Sequence, residues 1–259
     1  GDPSSPPRTS PSPLACFCCF LCSFVCCASV FFSHLYLCSI VSIPQDASNL
    51  YFILELLQGG ELLALLDRKE FLGEGECAFY MACVTEAMHA LHSRGWLFRD
   101  LKPDNILIDA QGYAKIADFG LAKNVGFDPN TQTTYTLCGT AQYMSPQVIS
   151  GEGYGKDADW WAVGVVMFEC LDGLTPFVED EEEDEDPYRS QMRIFNNILS
   201  KPVQYQPSVS PDARKLIGQL LERNVSKRIA DRQVRCSFLL FFSVLVVAHL
   251  YSFLESTSL

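Results

Sequence analysis

The stretch FRDLKPDNILID, residues 98–109, places two carboxylates, a lysine and an amide directly before an apolar segment. The apolar runs at 106–108 and 114–117 flank DAQG, whose residues are typical of a hairpin turn. Asp118 and the flexible Gly120 follow the second run. The sequence therefore predicts a two-stranded ribbon that brings Asn105 and Asp118 to the same end.

The residues at this end fit one kind of chemistry. An amide oxygen beside a carboxylate suits Mg²⁺, which takes its other ligands from water and substrate phosphates. Asp100 lies close to this pair but outside it, so its carboxylate is free to accept a proton from a hydroxyl. Lys102 supplies positive charge where a transferred phosphoryl group carries negative charge.

Two more motifs follow in order, TLCGTAQYMSPQ at 136–147 and DADWWAVGVVMFE at 157–169. With FRDLKPDN and DFG, they make the chain resemble the eukaryotic protein kinases from about Gln45 to Arg235. The resemblance implies an α+β fold: a mainly α-helical C-terminal lobe with a small β-hairpin region, plus a strand and hinge remnant of the N-terminal lobe. Phe98 stands where many kinases have His. With TLCGT and DWWA, this aromatic residue makes the chain resemble the AGC-like group of cyclic-nucleotide-dependent and phospholipid-dependent kinases. That group uses ATP and Mg²⁺ to phosphorylate Ser and Thr.

The resemblance also implies roles for individual residues. Asp100 matches the catalytic base and Lys102 the phosphate-contacting lysine, while Asn105 and Asp118 match the magnesium ligands. The positions that match ATP contacts are Glu55, Leu57, Glu61, Leu107 and Asp118. The positions that match substrate contacts are Thr140, expected to bridge Asp100 and Lys102, and the acidic Glu61, Asp104 and Glu169. Carboxylates hold arginine through paired hydrogen bonds, so we expect protein substrates with basic motifs.

Thr136 matches the activation-loop residue that these kinases phosphorylate, which implies an upstream activating kinase as a partner. Arg99 and Lys123 are expected to receive the phosphate.

Three further positions are expected to be structural: Gln147, Arg228 and Asp159. Gln147 stands where the family has a Glu that pairs with the Arg matched by Arg228. A buried Arg228 with only a neutral amide would cost about 3 kcal/mol.

Hydrophobic patterning and stop signals predict a coarse element order. We expect a strand at 50–54 and helices at 61–69, 77–95, 157–172, 188–199 and 211–223.

Charge limits the partners that the chain can have. The formal net charge is -12, which argues against nucleic acid. The run EDEEEDED at 179–186 is typical of a solvated loop, and docking of a basic partner is the alternative.

The two ends do not resemble a kinase, so we divide the chain into an apolar Cys-rich segment at 1–44, a partial kinase domain at 45–235 and an apolar segment at 236–259. Apolar runs at 14–43 and 237–254 are long enough to span a bilayer, which would anchor a kinase to a membrane. Both runs begin or end where the kinase resemblance does, which favours non-coding sequence at these ends, with membrane anchoring and a disulfide framework as the alternatives. Kinases work where thiols stay reduced, so we expect a cytoplasmic location.

No Lys or Glu precedes Gln45, so the ion pair that orients the ATP phosphates has no candidates there. We therefore expect the chain as written to be inactive. A pseudokinase-like binding module is the alternative function.

Overall fold

The computed structural model describes residues 34–127, 132–178, 186–229 and Val234, which fall into two units. The first unit comprises Gly1–His34 and Cys38–Glu55. Its described part is a short antiparallel pair, β1 (Ile40–Ser42) and β2 (Ile53–Leu54). The strand predicted at 50–54 is therefore shorter than expected. The reason is a turn just before it, in which the Asp46 carboxylate accepts hydrogen bonds from Ser48 N, Asn49 N and the Tyr51 hydroxyl.

The second unit, Leu35–Leu37 and Leu56–Leu259, contains the helices. They are α1 (Leu62–Lys69), α2 (Glu74–His92), α3 (Pro146–Ile149), α4 (Lys156–Asp172), α5 (Pro187–Ser200) and α6 (Pro211–Leu220). The five predicted helices are thus confirmed, with shifted ends. At α6, the Ser210 hydroxyl accepts Ala213 N and Pro211 occupies the first turn, which is why the helix begins there.

Helix α4 forms the centre of this unit because it is apolar on every side. It contacts α2 on one side and α6 on another, and residues 158–171 are all buried. Gly164 lets α6 approach closely: a Cβ at this position would lie 2.7 Å from Leu220 Cβ. The helix ends where Gly173 adopts a left-handed conformation with φ of 87°.

The small sheets lie near the residues of the predicted site. Strands β3 (Gly60–Glu61), β5 (Ile106–Ile108) and β6 (Ala114–Ile116) form an antiparallel sheet in that order, β3-β5-β6. Strands β4 (Trp96–Leu97) and β7 (Lys123–Asn124) form a separate antiparallel pair. Asp109 Oδ1 accepts Gln111 N and Tyr113 N at 2.9 Å each, which closes the β5–β6 turn. The predicted hairpin is confirmed.

No helix in the described ranges is both long and apolar enough to cross a membrane. The apolar run at 237–254 lies outside the described residues, as do positions 14–33 of the first run and 179–185 of the acidic run. No disulfide bond occurs among the described cysteines, which are Cys38, Cys77, Cys83, Cys138 and Cys170.

Candidate active site

Asp100 follows β4 at a point where the backbone is held in an uncommon conformation. Arg99 has φ of 73°, in the left-handed region that side chains other than glycine rarely adopt. The carboxylate of Asp159 in α4 stabilises this turn by accepting Phe98 N at 2.9 Å and Arg99 N at 2.8 Å. Buried His92 contacts the same carboxylate at 2.7 Å. The central helix thereby fixes the direction of the Asp100 side chain.

The side chain of Asp100 is surrounded by hydrogen-bond donors. Oδ1 accepts the backbone N–H of Thr140 at 3.0 Å and its hydroxyl at 2.8 Å. Asn105 Nδ2 donates to the backbone oxygen of Asp100 at 2.8 Å and to Oδ2 at 3.2 Å. Lys102 Nζ lies 3.8 Å from Oδ2. The structure thus brings Asp100, Lys102, Asn105 and Thr140 together, with Asp100 at the centre.

The β5–β6 ladder aligns Asn105 with the residues just before Asp118. Ala117 N donates to Asn105 O at 2.9 Å, one step beyond the Ile106–Ile116 pair. Asp118 has φ of 58°, and its exposed carboxylate accepts Gly120 N at 3.0 Å. Phe119 packs edge-on against Phe98, with ring centroids 5.6 Å apart. A second left-handed residue therefore marks the turn that carries the second predicted metal ligand.

These residues fit a magnesium ion by the chemistry of their free atoms. Asn105 uses its amide nitrogen on Asp100, so its amide oxygen remains as a ligand. Asp118 offers exposed carboxylate oxygens. No cluster of three His, Cys, Asp or Glu residues that could hold a metal occurs in the described part of the chain. A cation held by Asn105 and Asp118 would take its other ligands from water or phosphate, as Mg²⁺ does.

The loop that reaches Asp100 depends on Gly139. This residue has φ of 105°, and a Cβ there would lie 2.6 Å from the backbone oxygen of Arg99. Only glycine lets the loop pass this close. The approach places Thr140 directly opposite Asp100.

An acidic group lies near the C-terminal end of α4. Glu169 is buried and accepts the Tyr143 hydroxyl at 2.8 Å. The pKa of Glu169 is raised to about 7. Burial is the main cause, the charges of Asp104 and Asp67 also raise the pKa, and the Tyr143 hydrogen bond lowers it. Of the predicted acidic residues, Asp104 and Glu169 are thus close enough to interact, whereas Glu61 is exposed on β3. Sequence reasoning missed Tyr143 and Asp67, which no linear pattern connects to Glu169.

The positions that match ATP contacts divide between the two units. In the second unit, Leu107 pairs with Glu61 across β3 and β5, and Leu57 is half-buried. In the first unit, the Glu55 carboxylate accepts Ser39 N at 2.7 Å.

Thr136 is exposed in the loop before Gly139. Its Oγ1 lies 3.5 Å from that of the buried Thr134, to which Lys123 Nζ donates at 2.8 Å. Arg99 donates through Nε to Leu121 O at 2.7 Å, and its buried Nη1 has no hydrogen-bond partner within the described ranges. Lys123 therefore bonds to Thr134, whose hydroxyl lies beside that of Thr136.

The expected contact between Gln147 and Arg228 is present, with Arg228 Nη2 donating to Gln147 Oε1 at 3.3 Å. The expectation that a neutral amide is the sole compensation for Arg228 is wrong. Asp157 Oδ2 lies 3.8 Å from Arg228 Nη1, so a carboxylate also faces the guanidinium. Sequence reasoning missed Asp157 because an acidic residue in the first turn of a helix is ordinary.

Comparisons with known proteins agree with these motifs. A family model described as the protein kinase domain matches residues 28–239. The cAMP-dependent protein kinase catalytic subunit of Arthrobotrys oligospora is 39% identical over 198 residues, which cover 76% of this chain and 36% of that protein. Cyclic-AMP-dependent protein kinase type 3 of Saccharomyces cerevisiae is 37% identical over 201 residues, covering 78% and 47%.

Human serine/threonine-protein kinase Sgk1 is 39% identical over 188 residues, covering 73% of this chain and 41% of that protein. The chain therefore spans less than half the length of these curated relatives.

Proposed function

The chain belongs to the protein kinase family as a serine/threonine kinase of AGC type, and on that premise we propose the reaction of its catalytic lobe. The lobe transfers the γ-phosphoryl group of ATP to Ser or Thr hydroxyls in basic protein segments. The observation that carries this proposal is the convergence of Thr140 and Asn105 on the Asp100 carboxylate. A carboxylate held by these hydrogen bonds has a fixed orientation towards an incoming substrate hydroxyl.

Asp100 is the proposed base. Thr140 binds Oδ1 and Asn105 binds Oδ2, so both oxygens are oriented and the side chain cannot rotate freely. A substrate hydroxyl that approaches Oδ2 donates its proton there as its oxygen bonds to the γ-phosphorus of ATP. The bond between that phosphorus and the bridging oxygen breaks, and ADP leaves. Asn105 would thus have two functions, because its nitrogen positions Asp100 and its oxygen would be a ligand of Mg²⁺.

The positive charge near Asp100 is the second part of the proposed mechanism. Lys102 Nζ, 3.8 Å from Asp100 Oδ2, lies where it can offset charge on the transferred phosphoryl group. Asn105 and Asp118 would hold Mg²⁺, which when bound neutralises phosphate charge. Glu55, Leu57, Glu61 and Leu107 are the proposed contacts of ATP on the protein.

Specificity for basic segments rests on the acidic group. Burial is the main cause of the raised pKa of Glu169, and the charge of Asp104 adds to it, so the two carboxylates repel each other until a cation binds. An arginine side chain would relieve this repulsion and donate paired hydrogen bonds to a carboxylate. Glu61 is the third proposed contact, from β3.

The test uses the chain as given and a longer form that carries a small lobe upstream of Gln45. Phosphate incorporation from Mg²⁺-ATP is measured on two serine peptides. One carries arginine residues, and in the matched peptide neutral residues replace the arginines. We expect transfer by the longer form, preference for the arginine peptide, and a loss of at least 100-fold in Asp100→Asn. We expect no transfer by the chain as given.

Two results would contradict the proposal. Activity of the longer form that is unchanged in Asp100→Asn would exclude Asp100 as the base. Equal use of the two peptides would exclude recognition of basic segments. The Asp212→Asn variant, which changes an exposed carboxylate on α6, is the matched control and should behave as the parent.

A further inference from the structure

Arg228 is almost fully buried, so its charge must be matched within the protein. Its guanidinium donates to the backbone oxygens of Glu222 at 2.7 Å and Asp157 at 3.0 Å. It also stacks over the Trp161 ring, 5.1 Å from the centroid. Burial lowers the pKa of Arg228 to about 10, while the charges of Asp157 and Glu222 raise it. Backbone oxygens and a ring face offset only part of a full charge, so a buried cation of this kind needs a carboxylate.

Asp157 is the carboxylate that meets this need. Its Oδ2 lies 3.8 Å from Arg228 Nη1, and its Oδ1 accepts Gly155 N at 3.1 Å. The Glu222 carboxylate instead accepts Asn224 N at 2.9 Å. Asp157 is therefore the acidic side chain in ion-pair contact with Arg228 among the described residues.

Gln147 connects the two charges. Its Nε2 donates to Asp157 Oδ2, and its Oε1 accepts Arg228 Nη2 at 3.3 Å. A side-chain amide can do both because it carries a donor and an acceptor, whereas a carboxylate at position 147 has no donor for Asp157. The glutamine is thus suited to a neighbouring aspartate, and a glutamate in its place would meet Asp157 as a like charge.

We propose that Asp157 has taken over the neutralisation of Arg228 from position 147, and that Asp157 acts through Gln147 as a positioning residue for helix α3. This helix directly follows the loop that contacts Asp100, so the pair anchors the C-terminal end of that loop to the segment around Arg228. Asp157 lies ten residues beyond Gln147 in the chain.

A charge-exchange series in the full chain tests the proposal by thermal unfolding. Asp157→Asn keeps the shape of the side chain and removes its charge, and we expect the unfolding midpoint to fall by about 4–8 °C. Gln147→Glu alone should lower the midpoint or leave it unchanged, because two carboxylates then face each other. The double variant combines Asp157→Asn with Gln147→Glu and so returns one carboxylate to the site. It should recover more than half of the fall in the unfolding midpoint. Glu222→Gln is the control, with an expected change below about 2 °C.

Amide hydrogen exchange provides the readout of position. The bonds Ile149 N to Ser145 O and Ser150 N to Pro146 O hold α3. Exchange at these amides should accelerate at least tenfold in Asp157→Asn and return towards the parent in the double variant.

An ordinary helix-terminal role for Asp157 would give a different result, since residue 147 could not compensate for it. Absence of recovery in the double variant, or stabilisation by Gln147→Glu alone, would overturn the proposal. If Asp157→Asn does not fold, folding of the double variant supports the proposal and its failure to fold overturns it.

Discussion

Thr140 donates both its backbone N–H and its hydroxyl to the same oxygen of Asp100, at 3.0 and 2.8 Å. The two residues are forty positions apart, so the relationship exists only because the loop around Gly139 returns to the turn at Arg99. These hydrogen bonds connect the proposed base to the loop that would bind the substrate. A change in the position of either residue should therefore shift the other.

Removing the Thr140 hydroxyl should reduce phosphoryl transfer in the longer form. Thr140→Val keeps the shape and loses one hydrogen bond to a charged group, so we expect kcat to fall by about 10- to 100-fold. Thr140→Ser retains the donor and should stay within about threefold of the parent. Steady-state kinetics measure both, and equal activity of the two variants would exclude a role for the hydroxyl.

Gly139→Ala should be more damaging than the same change at another left-handed glycine. The new Cβ would meet Arg99 O at 2.6 Å, whereas Gly112, with φ of 91°, has no neighbouring atom within 4 Å of its ideal Cβ. We expect about 1 kcal/mol of destabilisation at Gly112 from backbone strain, and at least twice that at Gly139. Chemical denaturation of both variants measures the difference, and equal losses would show that the close approach is unimportant.

Binding of a peptide with arginine residues should strengthen as the pH rises from 6 to 8. The folded protein raises the pKa of Glu169 from its ordinary value of 4.5 to about 7, so the carboxyl is protonated below that pH and cannot pair with a cation. The protonated form is favoured by folding, so its contribution to stability is complete below pH 4.5 and is lost as the pH rises through about 7.

Isothermal titration of the peptide at several pH values tests this expectation. Glu169→Gln should bind weakly with no pH dependence between 6 and 8. Tyr143→Phe removes the hydrogen bond that lowers the pKa of Glu169, so its transition should move to higher pH. A wild-type affinity that is constant over this range would exclude Glu169 as a contact of the arginine.

Thr136→Ala should lower the activity of the longer form much more than Thr133→Ala after treatment with an activating kinase. A phosphate on the exposed Thr136 would gain from the positive charge of Arg99, and Lys123 could turn from Thr134 to join it. Arg99→Ala should make the phosphorylated and unphosphorylated forms nearly alike. Equal activity of Thr136→Ala and its parent would place the switch elsewhere.

Gly164→Ala should destabilise the second unit, whereas Gly218→Ala should not. The Cβ at Gly164 would lie 2.7 Å from Leu220 Cβ, but at Gly218 in α6 the nearest atom is the Tyr205 hydroxyl at 3.8 Å. We expect a loss of about 1–3 kcal/mol at Gly164 from overpacking, and a small gain at Gly218 because alanine favours the helix. Urea denaturation compares the two, and a stable Gly164→Ala variant would contradict the close packing of α4 and α6.

The sequence by itself determined the order of the elements and the identity of the motif residues. Turn residues between two short apolar runs predicted the β5–β6 hairpin, and this local pattern was sufficient to place Asn105 near Asp118. Helix starts such as Ser210–Pro211 were also readable, because capping is a short-range interaction. The match of ordered motifs identified the family that the comparisons show.

Only the tertiary structure decided which side chains far apart in the sequence interact through their charges. Asp157 faces Arg228 across seventy-one residues, and Glu169 has its pKa raised by burial beside Asp104. Neither relationship follows from spacing, because electrostatic interactions depend on distance and burial in the folded state and not on separation along the chain. Asp157 therefore looked like an ordinary aspartate in the first turn of a helix. In the folded protein its carboxylate faces the buried guanidinium of Arg228.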